Sequence, residues 1–91
     1  MVKVEVETTT FGEVDQALAA GADIIMLDNM DLEQIRKAVR MIDKKALVEV
    51  SGGVTRDRLK DLARTGVDLI SIGALTHSAV AVDLSMNIQA D

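Results

Sequence analysis

The feature that most constrains this chain is its alternation of short apolar runs with amphipathic stretches, each junction marked by Gly, Asp, Asn or Thr. "VKVEVE" places Val2, Val4 and Val6 on one side and Lys3, Glu5 and Glu7 on the other, the period of a strand. "TFGE", residues 10 to 13, has the spacing of a capping box, and Val14, Ala17 and Leu18 follow at helical intervals up to Gly21. "DIIMLDN" is a short apolar run with polar ends, as in a buried strand. Asp31 then caps a stripe of Leu32, Ile35, Val39 and Ile42. "ALVEVSGG" gives a third strand. Thr55 opens a third helix with Leu59, Leu62 and Ala63 inward and Gly66 at its end. "DLISIGAL" gives a fourth strand.

Strand and helix in strict succession predict right-handed βαβ units on a parallel sheet, an α/β fold. "AGADIIML" at 20–27 aligns with "TGVDLISI" at 65–72, Gly on Gly and Asp on Asp, at an offset of two such units. A partial (β/α) barrel of TIM type repeats in this way. So does a flavodoxin-like layer, and the pattern leaves both open. The tail "VAVDLSMNIQ" alternates again, with Val80, Val82, Leu84, Met86 and Ile88 on one face. The link before it, which holds His77, is too short for a crossover helix. The tail is therefore expected to pair antiparallel, or with something outside the chain.

At 91 residues this is a single small unit, and domains of this size bury a modest share of their surface. There is no cysteine, hence neither a disulfide framework nor a thiolate metal site. A net charge of -5 opposes a nucleic-acid surface, and Phe11, the one aromatic residue, cannot build a base-stacking platform. No run approaches the roughly 20 apolar residues of a membrane span. "MVKVEVE" lacks the apolar core of a signal peptide. A cytoplasmic protein that binds neither nucleic acid nor membrane is the expectation.

In parallel α/β folds the chemistry sits at the carboxyl ends of the strands. Those ends are Glu7; Asp28 and Asn29; Ser51, Gly52 and Gly53; Gly73 and Ala74. Glu5 and Glu7 share a face with Lys3, Glu49 lies with Leu47 and Ser51, and Asp28 follows Ile24 and Met26 at strand parity. In a barrel these acids converge on the interior, where they need a divalent cation or Lys and Arg from elsewhere; on an edge strand Glu5 and Glu7 would merely be solvated. "SGG" between strand and helix offers backbone N–H groups and a helix N-terminus to an anion. With Gly73 on the next strand and His77 beyond it, this makes the two halves of a phosphate cup. His77 reads equally as a surface or capping residue.

"VKVEVET", "ALAAGADIIMLDNM", "EVSGGVT", "TGVDLISIGALTHS" and "AVDLSMNI" together resemble the C-terminal part of the quinolinate phosphoribosyltransferases, over residues 2 to 89. The resemblance implies a partial barrel and a transfer reaction with Mg²⁺. Quinolinate and phosphoribosyl pyrophosphate give nicotinate mononucleotide, pyrophosphate and carbon dioxide. It assigns Glu7 and Asp28 to the acids that face the ribose and its metal and stabilise an oxocarbenium-like centre. Ser51, Gly52, Gly53, Gly73 and His77 fall to the phosphate, with Asn29 and Glu49 in support. Members of the family are about three times longer and carry their substrate-gripping cations in an N-terminal domain and earlier barrel strands. Residues 1–91 are thus expected to be one C-terminal half-barrel segment, inactive alone. It would bind phosphate or phosphoribosyl pyrophosphate, engage quinolinate only with the missing half, and form a homo-oligomer through its open strand edges. The other expectation is a half-barrel scaffold without activity.

Overall fold

The computed structural model describes residues 3–52, 55–72 and, as backbone, 78–81. Among the described residues, five strands and three helices run in the order β1 (Glu5–Thr8), α1 (Phe11–Ala19), β2 (Ile24–Leu27), α2 (Leu32–Ile42), β3 (Leu47–Ser51), α3 (Arg56–Ala63), β4 (Leu69–Ile72) and β5 (Ser78–Ala81). The sheet order is β1-β2-β3-β4-β5, parallel through β4, with β5 antiparallel to it.

That order decides between the two architectures. A flavodoxin-like sheet reverses direction at a switch point and carries helices on both faces. Here each strand lies beside its predecessor. Strand residues of one parity, Ile25, Leu27, Val48, Val50 and Ile70, are buried in one cluster with Val14 and Ala17 of α1, Ile35, Ala38 and Ile42 of α2, and Leu62 of α3. All three helices therefore cover the same face. A singly wound parallel sheet with helices on one face is an arc of a (β/α) barrel, and the layered alternative falls.

Local signals explain the boundaries. Thr10 accepts from the Glu13 N–H at 3.1 Å while the Glu13 carboxylate accepts from the Thr10 N–H at 3.2 Å. Asp31 and Gln34 make the same reciprocal pair at the start of α2. Helix α1 closes with Ala22 N–H on the Ala17 carbonyl and Gly21 N–H on that of Leu18, both at 3.1 Å. In this Schellman closure the left-handed residue is Gly21, at φ 79°. Thr55 caps α3. The first strand spans Glu5–Thr8, and Val4 before it is exposed. The tail pairs antiparallel, as its short link requires, but its strand is Ser78–Ala81; the alternation expected over 82–89 lies outside the described residues. Among those described, no helix is long and apolar enough to cross a membrane.

Candidate functional site

With every helix on one face, the opposite face carries the other parity. Register aligns Glu7 with Met26, Met26 with Glu49, and Glu49 with Leu69. One step toward the carboxyl ends, Ser51 pairs with Ser71. Asp28 continues the β2 alternation beside Ser51, its N–H held by the Thr8 carbonyl at 2.9 Å. The fold thus gathers Glu7, Asp28 and Ser51, from three strands, onto one patch at the carboxyl end of the sheet. All three are exposed. Glu5 shares the Glu7 face one step lower, beside Ile24.

Glu49 behaves differently from its neighbours. It is 5% exposed and accepts a hydrogen bond from the Ser71 hydroxyl. A polar group buried to this extent costs stability unless it finds such a donor. Ser71 was not singled out in the sequence; its place at the centre of "LISIG" reads as an ordinary strand serine. The pairing arises only because β3 and β4 are adjacent and in parallel register.

The glycine loop divides in two. Gly52 donates its N–H to the Ser71 carbonyl at 2.7 Å, extending the ladder between β3 and β4. A Cβ at Gly52 would lie 2.2 Å from Ile70 Cγ2 and 3.4 Å from Leu59 Cδ2. Its glycine identity therefore reflects close packing of β4 and α3 against the loop, and its N–H is taken up by the Ser71 carbonyl. Gly53, Gly73 and His77 lie outside the described residues.

At the same end of the sheet, between the strand tips and the helices, a depression of about 470 Å³ is lined by Asn29, Asp31, Gln34, Ser51 and Arg58 over an apolar floor that includes Leu27 and Val50. Asn29 adopts a left-handed backbone, φ 57°, a conformation Asn tolerates better than most residues. Arg58, in the first turn of α3, brings a cation to this end of the sheet. Sequence reasoning looked for the cations elsewhere and overlooked it; its spacing of three residues from the Thr55 cap was the available signal.

The model of the quinolinate phosphoribosyl transferase C-terminal domain matches residues 1–87. The chain belongs to that family. It is 45% identical over 93 residues to a probable nicotinate-nucleotide pyrophosphorylase (carboxylating) of Methanocaldococcus jannaschii, covering 94% of this chain and 33% of that protein. To the rat nicotinate-nucleotide pyrophosphorylase it is 42% identical over 93 residues, covering 99% of this chain and 31% of the relative. The structure of the Francisella tularensis nicotinate-nucleotide pyrophosphorylase superposes with a TM-score of 0.72 at 49% identity, over 88% of this chain and 29% of that one. The chain thus spans about a third of the length of these relatives. In this arc the acids Glu7, Asp28 and Glu49 stand on the face turned away from the helices.

Proposed function

We propose that this chain forms the ligand-holding C-terminal arc of an enzyme that transfers a phosphoribosyl group to quinolinate, releasing pyrophosphate and carbon dioxide. The observation that carries the reading is the meeting of Glu7, Asp28 and Ser51 on the helix-free face at the strand ends. Negative charge fixed on this face stabilises positive charge as it develops at the sugar's anomeric carbon, and fixed charge costs no reorganisation during the step. Ser51, with Gly53, Gly73 and His77, takes the phosphate.

Magnesium fits this patch in a limited way. No group of three His, Cys, Asp or Glu among the described residues could hold a metal unaided. Mg²⁺ bound to a diphosphate, however, asks for only one or two carboxylates and keeps several waters. Glu7 and Asp28 are the residues that would hold it, and the ion would neutralise the leaving pyrophosphate. Apart from Lys3 before β1 and Arg58 beside Ser51, the described part of this end offers acids and hydroxyls, whereas a diphosphate and a dicarboxylate together require several cations. The 91-residue chain alone should therefore turn over negligibly.

A two-dimensional amide NMR titration with phosphoribosyl pyrophosphate and Mg²⁺ tests the reading. Shifts clustered at Asp28, Ser51, Gly53 and Gly73 are the expected result. A dispersed spectrum in which these amides stay still would overturn it.

A further inference from the structure

The exposed acids of this face are accounted for, but its most buried charge is not. Glu49 lies directly across Met26 from Glu7, and strand spacing puts their backbones roughly 10 Å apart. That separation is wide for one ion and suits a ring-sized ligand lying over Met26. Glu49 is pinned by the Ser71 hydroxyl, and a carboxylate has about four acceptor positions, of which that hydroxyl fills one. Leu69 flanks Glu49 on the far side, so the row alternates carboxylate, thioether, carboxylate, isobutyl. Apolar surface between hydrogen-bond acceptors matches a sugar, which has C–H faces and hydroxyl edges.

We propose that Glu49, oriented by Ser71, accepts a hydroxyl of the ribose ring across Met26 from Glu7. Ser71 acts as a positioning residue, fixing the carboxylate from the neighbouring strand. The proposal rests on the reading of this face as a phosphoribosyl site and adds to it the residue that distinguishes a sugar phosphate from phosphate alone.

The test compares ribose 5-phosphate with inorganic phosphate, by NMR titration of the 91-residue chain and of its Glu49→Gln, Ser71→Ala and Ser71→Thr variants. Amide spectra first establish that each variant keeps the fold. Ribose 5-phosphate should bind the parent chain about tenfold tighter than phosphate, the worth of one hydrogen bond to a charged group, and should shift the Met26 methyl. Glu49→Gln, whose carbonyl still accepts but carries no charge, should cut that preference to about twofold and leave phosphate binding unchanged. Ser71→Ala should weaken the preference about threefold, and Ser71→Thr, which keeps the hydroxyl, should restore it; a purely structural role would not follow the hydroxyl. An unchanged preference in Glu49→Gln overturns the inference while the phosphate site stands. Equal binding of the two probes by the parent chain does the same. A parent chain that binds neither overturns the site and the inference together.

Discussion

Asp23 closes the start of the first strand. Its Oδ2 accepts the Val4 N–H at 2.8 Å, and its own N–H returns to the Val4 carbonyl at 2.9 Å. Two βα units later Asp68 repeats the arrangement on Val48, with both bonds at 2.9 Å. Each aspartate follows a glycine with positive φ, Gly21 at 79° and Gly66 at 93°. The sequence echo between 20–27 and 65–72 is therefore a repeated structural joint, in which a side chain supplies the first rung between neighbouring parallel strands. Asp68→Ala should cost about 2 kcal/mol and Asp23→Ala, at a more exposed bond, about 1 kcal/mol. Asn at either position should cost less, since its carbonyl still accepts. Urea unfolding of the three-member series at each site checks the ranking, and equal costs for Ala and Asn would refute it.

Gly52→Ala should destabilise the chain by about 1–3 kcal/mol, the usual cost of overpacking. The added methyl would stand 2.2 Å from Ile70 Cγ2, so β4 must shift or the loop must lift off it. An unfolding midpoint equal to that of the parent would show that the loop is held more loosely than the close Gly52–Ser71 bond implies.

The first helix should carry a pH signature. Glu13 accepts from the Thr9 N–H at 2.8 Å, the Thr9 hydroxyl at 2.9 Å and the Thr10 N–H at 3.2 Å. These bonds favour its charged form, the Thr9 backbone most of all, and hold its pKa below the ordinary glutamate value. A lowered folded-state pKa gives stability that is complete above the unfolded value and fades as pH falls through the folded one. Thermal unfolding of the parent and of Glu13→Gln should thus differ near neutrality and converge toward lower pH, beginning at the ordinary glutamate range. Thr10→Ala, which removes the other half of the box, should cost about 1 kcal/mol.

The turn from α2 to β3 holds two non-glycine residues in left-handed conformation, Asp43 at φ 48° and Lys44 at 63°. Lys44 is exposed, and no side-chain bond to another described residue offsets the steric cost. Lys44→Gly should stabilise the chain by about 0.5 kcal/mol, the left-handed penalty less the greater entropy of an unfolded glycine. A lower midpoint would mean that the lysine stem contributes packing here.

The strand order leaves the outer edge of β1 unpaired by any described strand, and open edges recruit other strands. Light scattering should show a mass that rises with concentration. A constant monomer mass at high concentration would count against association through this edge.

Most of the architecture was legible in the chain because it is written locally. The capping pairs Thr10–Glu13 and Asp31–Gln34, the glycines at 21 and 66 and the two periodicities are properties of segments a few residues long, and they fixed the kind and order of every element. They also put Glu7, Asp28 and Ser51 at strand ends on one parity. Half-barrel or layer was not legible, because a βαβ unit reads the same in both; the choice depends on which side of the sheet successive helices pack, a property of several units at once. The role of Gly52 was missed for the same reason, since only the approach of Ile70 and the Ser71 carbonyl shows that its bareness serves packing. Arg58 was missed because a helix delivers it to a strand-end site. The Glu49–Ser71 pair spans 22 positions of sequence, and no local pattern announces it. The sequence by itself determined the elements and the face on which each acid would stand. The tertiary structure alone decided which of those acids found a partner, because strand adjacency and register are set by long-range burial rather than by any residue's immediate neighbours.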